Sequence, residues 1–155
     1  MKIATLEKAY LWVSAGVLGA CLVAILYGAA ATGIHLPGRG ERIDPQQVRT
    51  TPPFDRPGVH PVGENEYDVV LIGQAWAFFP PEVRVPVGAK LNFITTSADV
   101  VHGLHVEGTR VNLMLIPGQV TRYPYVFREP GEYTVICHEY CGIGHHTMYG
   151  KVIAE

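Results

Sequence analysis

The chain has 155 residues and carries 12 Lys and Arg against 14 Asp and Glu, a formal net charge of −2. That balance excludes a basic nucleic-acid binder and a charged disordered tail, and the length allows one ordinary domain with an appendage. Charged residues make up 17%, below the roughly 25% usual for soluble domains, and the deficit is concentrated at the N-terminal end.

Ala9 to Ile34 is a run of 26 residues in which only Tyr10, Cys21 and Tyr27 are ionisable. At about 1.5 Å per residue, a helix of that length exceeds the roughly 30 Å hydrocarbon core of a bilayer. Residues 1–35 therefore read as a single-pass transmembrane anchor. Tyr10 and Trp12 stand at one end and Tyr27 near the other, where aromatic anchors belong. Gly16, Gly19 and Gly28 keep the surface small, which suits packing against other membrane helices. Lys2 and Lys8 followed by Ala29-Ala30-Ala31 also fit a cleaved signal peptide, but the run is longer than the about 7–15 residues of such a core. Lys2 and Lys8 are balanced by Arg39 and Arg42 across the run, so basic residues alone do not choose an orientation. Cys21, in mid-run, reads as a small apolar filler.

Residues 36–66 hold six of the twelve prolines and four glycines, with almost no apolar periodicity. This composition predicts a stiff linker or a strap lying on a surface. From 67 to 155 the pattern is one of short strands, at 67–73, 82–88, 90–97, 100–106, 120–127, 132–137 and 149–155. Their β-branched and aromatic content, with turn signals at Val87-Gly88, Pro117-Gly118 and Pro130-Gly131, predicts an all-β sandwich or barrel. Pro124, inside one of these strands, places it at an edge or a bulge.

The chemistry is concentrated in ICHEYCGIGHHTMYG, residues 136–150. Cys137, Cys141, His145 and Met148 follow the spacing C-x3-C-x3-H-x2-M in a loop where Gly142 and Gly144 permit tight turns. Thiolates, imidazole and thioether are soft or borderline donors, which excludes calcium and magnesium and favours copper over zinc. A mononuclear blue-copper site needs one Cys, two His and a weak axial Met. His102, 35 residues before Cys137 in SADVVHGLH, is the candidate second imidazole, but such a site leaves one cysteine unexplained. Two thiolates can instead bridge two copper ions, each also holding one His. A disulfide between Cys137 and Cys141 is the competing structural reading. His105, three residues from His102, points elsewhere on a strand, as an orienting partner of a ligand or a satisfied core histidine. His138 and His146 read as solvated or as neighbours of ligands, and Met114 as core.

The segments VVHGLHVEG and PG-E-Y-x-x-x-C-x-E-Y-C-G-x-x-H-x-x-M-x-G resemble the dinuclear copper (CuA) domain of subunit II of haem-copper cytochrome c oxidases. With one N-terminal helix and this short length, the chain is most similar to the B-family, ba-type form, over nearly its whole length. The resemblance implies a cupredoxin-like β-sandwich or barrel over 67–155, in agreement with the strand pattern. It implies that Cys137 and Cys141 bridge two coppers, with His102 and His145 as terminal ligands. Met148 and the Glu139 main-chain carbonyl would be the axial donors, and the Glu139 side chain could reach an interface metal. It also implies that Trp76, in QAWAFFPPEV, is the aromatic residue where electrons enter, although a tryptophan between strands also fits a core position. The implied function is the electron-entry subunit of a terminal oxidase. Cytochrome c would be the donor, a haem-bearing subunit I the acceptor, and no nucleic acid is involved. The domain would lie outside the plasma (inner) membrane, with the N-terminus cytoplasmic. Outside residues 1–35 the chain has 10 basic and 13 acidic residues, which leaves docking by charge or by apolar contact open. The alternatives from other classes are a membrane-anchored copper-binding or copper-delivery protein, and an anchored interaction module braced by a disulfide or zinc.

Overall fold

The computed structural model describes residues 3–32 and 41–155. Lys2, His35, Arg39 and the first part of the proline-rich segment, 36–40, lie outside the described residues. The chain divides into two units, Met1–Leu36 and Pro37–Glu155.

In the first unit, α1 (Ile3–Thr32) is a single helix of 30 residues. Ala4–Ala31 is long and apolar enough to cross a membrane. No proline interrupts it, and Tyr10, Trp12 and Tyr27 are exposed along it.

Among the described residues, the second unit contains ten strands. They are β1 (Gly58–Gly63), β2 (Glu66–Gln74), β3 (Ala77–Phe79), β4 (Glu82–Val85) and β5 (Lys90–Ser97), then β6 (His102–Val106), β7 (Asn112–Leu115), β8 (Thr121–Tyr125), β9 (Gly131–Ile136) and β10 (Tyr149–Ala154). One sheet runs β1-β2-β5-β8 with β3 added beside β2, and the other runs β4-β10-β9-β6-β7. The β2–β5 and β4–β10 pairs are parallel and the rest antiparallel. β8 is an end strand, which accommodates Pro124 because one side of its backbone needs no partner. Pro86 has no N–H to continue the ladder, and β4 stops at Val85 rather than running to 88.

The inner faces of both sheets meet in one core that includes Val69, Leu71, Phe93, Leu104, Leu115 and Val152. A second, smaller core lies on the outer face of the first sheet. There Ile43, Val48 and Phe54, all from the proline-rich segment, cover Val70, Ile72 and Ile94. β2 is therefore buried on both faces, which explains why Val69-Val70-Leu71-Ile72 is a continuous apolar run rather than an alternation. Burial of side chains such as Val48 and Phe54 contributes about 1.5–3 kcal/mol each, so this segment is a strap fastened to the domain. It carries a 3-10 helix, Pro45–Thr50, capped by the Asp44 side chain, which accepts from the Gln46 N–H. It also contributes β1, which pairs with β2.

The end of the sandwich is held in register by Gly150 of β10. A Cβ there would lie 2.7 Å from the Pro81 carbonyl oxygen, a backbone atom that cannot swing aside. Gly150→Ala is expected to cost about 1–3 kcal/mol of stability, the usual range for overpacking. Denaturant unfolding of the metal-free chain measures this, and an unchanged midpoint would contradict it.

Candidate metal centre

The candidate ligands converge from two places at one end of the sandwich. His102 is the first residue of β6, and the rest belong to the connection from β9 to β10. That connection closes on itself, because the Cys137 N–H donates to the Met148 carbonyl at 3.1 Å. Within it, His145 N–H donates to Gly142 O, Thr147 N–H to Gly144 O and Met148 N–H to His145 O. Gly142 has φ +117°, a conformation that few residues other than glycine adopt. The result is a compact loop whose soft donors point inward.

The Cys137 and Cys141 sulfurs are 3.8 Å apart and both cysteines are free and buried. A disulfide requires about 2.05 Å, so the pair is not one. Cys141 Sγ lies 3.5 Å from His145 Nδ1 and 3.7 Å from Met148 Sδ. Cys137 Sγ lies 3.2 Å from the Glu139 carbonyl oxygen. The ligand atoms of His102, Cys137 and Cys141 all fall within 4.8 Å of one another. The structure thus brings together all six residues that the sequence predicts as ligands.

His102 is fully buried, and its two nitrogens differ. Nε2 is 2.8 Å from Asp99 Oδ1, whereas Nδ1 is buried with no hydrogen-bond partner. Partial burial raises the Asp99 pKa, but the Ala75 N–H, the His102 ring and the Val100 N–H outweigh it and hold the carboxyl below its ordinary value. Asp99 is therefore a carboxylate that accepts from Nε2–H, which leaves the Nδ1 lone pair free to bind a metal ion. A buried orphan nitrogen costs about 1–3 kcal/mol. A metal ion relieves that cost, and a carboxylate on the far nitrogen is the usual way a protein orients a histidine ligand. The donor set fits copper. Burial, then the hydrogen bond and charge of Cys137, push the Cys141 thiol up to about 11, so metal loading must displace its proton.

Trp76 sits in the turn between β2 and β3 and lies against the ligand loop. Its indole Nε1 donates to the Cys141 carbonyl at 3.1 Å. A Cβ on Gly144 would come within 2.4 Å of the ring, so Gly144 is the residue that admits this contact. Trp76 is 41% exposed and is not a core residue. His105 lies away from the cluster: its Nδ1 is 3.1 Å from the Val111 carbonyl and its ring meets that of His138 edge-on. His138 covers Gly103, where a Cβ would touch its ring. His146 is exposed, as is Met114, which belongs to the outer surface and not to the core. The sequence alone does not single out Asp99. Its one signal is a carboxylate three residues before a candidate histidine ligand.

A two-sheet sandwich that gathers cysteine, histidine and methionine donors in one end loop, attached to a membrane-length helix, defines an anchored cupredoxin-type copper domain. The family model for cytochrome c oxidase subunit II, periplasmic domain, matches residues 79–154. The chain is 39% identical over 153 residues to a cytochrome c oxidase subunit 2 of Thermus thermophilus, covering 96% of this chain and 91% of the relative. A second Thermus thermophilus cytochrome c oxidase subunit 2 is 42% identical over 125 residues, covering 79% and 93%. A chain of a heme-copper terminal oxidase dimer superposes with a TM-score of 0.72 at 34% identity, covering 97% of this chain and 99% of that one. The periplasmic domain of subunit II from Bradyrhizobium japonicum, at 20% identity and a TM-score of 0.53, shares the fold over 57% of this chain and 83% of its own length. The protein belongs to the subunit 2 family of cytochrome c oxidase.

Proposed function

We propose that the chain takes electrons from cytochrome c at a dinuclear copper (CuA) centre, two coppers per chain, and delivers them to the haem-bearing catalytic subunit of its oxidase. The electron-entry role belongs to the family. The copper pair is carried chiefly by one observation: two free thiols 3.8 Å apart, each beside a second candidate donor. In this proposal Cys137 and Cys141 would hold both ions, His102 and His145 one each, and Met148 and the Glu139 carbonyl would be the weaker donors. When bound, such a pair would supply a site that gains and loses one electron with little movement of atoms. The protein's residues keep that core rigid and dry. Asp99 fixes the His102 ring, Gly73 lies against that ring and Leu115 with no room for a further carbon, and the loop's own backbone hydrogen bonds hold the remaining ligands. Burial of both sulfurs excludes water, and hydrogen bonds near them tune the potential.

Trp76 is the proposed point of electron entry. Around it the ligand loop exposes Tyr140 at 75% and Ile143 at 82%, and Glu139 is the one carboxylate in the sequence of the 137–148 loop. This surface favours a donor that docks by apolar contact. The rate of reduction by cytochrome c is therefore expected to fall by no more than about threefold between low and physiological salt, unlike charge-steered association, which falls steeply. Stopped-flow reduction across a salt series measures it, and a steep decline would contradict apolar docking. Gly144→Ala, which displaces the indole from the ligand loop, is expected to slow this reduction.

The division into an anchor over 1–35, a proline-rich segment over 36–66 and a copper domain over 67–155 is part of the proposal, with 41–66 working as the domain's strap. So is the placement of the copper domain outside the plasma membrane with the N-terminus cytoplasmic. Reporter fusions that put the C-terminus inside would overturn that orientation.

A further inference from the structure

The geometry points to Arg49, in the strap, as a positioning residue for the copper centre. The strap's 3-10 helix is seated by Val48, which is buried against the outer face of the first sheet. The next residue, Arg49, reaches the β2–β3 hairpin. Its Nη2 donates to Gln74 Oε1 at 2.6 Å, and its guanidinium lies 4.6 Å from the centre of the Phe79 ring. Gln74 is the last residue of β2 and Phe79 the last of β3, so one guanidinium touches both strands. A planar cation that donates in its plane and stacks through its face suits this double contact.

The hairpin's two turn residues contact both halves of the ligand set. The Ala75 N–H donates to Asp99 Oδ2 at 2.7 Å, and Asp99 holds His102 through its other oxygen. The Trp76 indole donates to the Cys141 carbonyl. Gln74 pairs with Ala77 across the turn, leaving it little freedom of its own. Movement of the hairpin would therefore shift the orientation of His102 and the Cys141 loop together. Arg49 touches no ligand. It acts through Gln74 and Phe79, fixing the turn from a segment whose sequence reads as a linker or a surface strap.

This role rests on the copper reading given above, and the test separates the two. The full chain is purified in detergent in a Trp12→Phe background, which leaves Trp76 as the only tryptophan. Acrylamide quenching of Trp76 is measured without metal, followed by copper titration with absorption and electron paramagnetic resonance spectra. Arg49→Ala is expected to raise quenching and to weaken copper binding by about tenfold, the low end of the about 10–100-fold range for residues that orient metal ligands. Gln74→Ala, which leaves the Phe79 contact in place, should give part of the effect, and the double variant should be no worse than Arg49→Ala alone. Arg49→Lys keeps the cation but not the planar fork and should recover only part of the effect. Glu41→Ala breaks the strap's ion pair with Arg122, touches no hairpin residue, and should leave both readouts at wild-type values. Wild-type quenching and affinity in Arg49→Ala, or an equal effect from Glu41→Ala, would overturn the role while the copper reading stands. Failure of the wild-type chain to bind copper would sink both.

Discussion

Cys137→Ser is expected to abolish the paired copper signal and to lower copper affinity by more than about 100-fold, since residues that only orient a ligand already contribute about 10–100-fold. Cys137 is one of two sulfurs 3.8 Å apart, and a hydroxyl is a poor substitute for a thiolate as a bridging donor to copper. The remaining set of Cys141, His102, His145 and Met148 still resembles a mononuclear blue site. The variant should therefore retain at most one copper with a four-line resonance, and electron entry into the oxidase should stop at that subunit. Metal analysis and resonance spectra of the variant check this. Two coppers with an undisturbed spectrum would contradict the bridging role.

His102→Leu is the second large effect, and its signature is a split between stability and function. The native ring is fully buried and its Nδ1 has no hydrogen-bond partner. Leucine fills similar space and removes that unsatisfied group, which costs about 1–3 kcal/mol where it is left unmade. The variant loses the bond to Asp99, but that carboxylate side chain is 30% exposed and keeps the Ala75 and Val100 N–H donors. The metal-free variant should accordingly unfold within about 1 kcal/mol of wild type or above it, while copper affinity falls by more than about 100-fold. Parallel unfolding and copper titrations measure the two quantities. Loss of several kcal/mol with copper retained would mean that His102 is a core residue and not a ligand.

The anchor, the ligand loop and most strands are legible because each signal is local. Twenty-six residues without a formal charge, or donors with three, three and two residues between them, carry their meaning within a single stretch of chain. What is not legible depends on partners distant in sequence. β1, with only Val59 and Val62 as apolar side chains beside Gly58, His60, Pro61 and Gly63, has no alternation of its own and forms because β2 offers an edge. β3 and β7 span three and four residues, too few to show a period. The proline-rich segment reads as a linker or a surface strap without showing where it attaches, because its apolar residues, Ile43, Val48 and Phe54, are isolated in sequence and become a set only on the outer face of the first sheet. Asp99 and Arg49 escape notice for the same reason. Their importance lies in what they touch, a histidine on one side and a hairpin on the other, and neither contact leaves a spacing motif.

The most direct test is the copper content and electron paramagnetic resonance spectrum of the full chain reconstituted with copper in detergent. About two coppers per chain, with a purple colour and a seven-line hyperfine pattern from one electron shared by two equivalent copper nuclei, is the expected result for two ions bridged by Cys137 and Cys141. One copper with a blue colour and a four-line pattern, or no stable copper with the two cysteines disulfide-linked after full reduction and refolding, would contradict it.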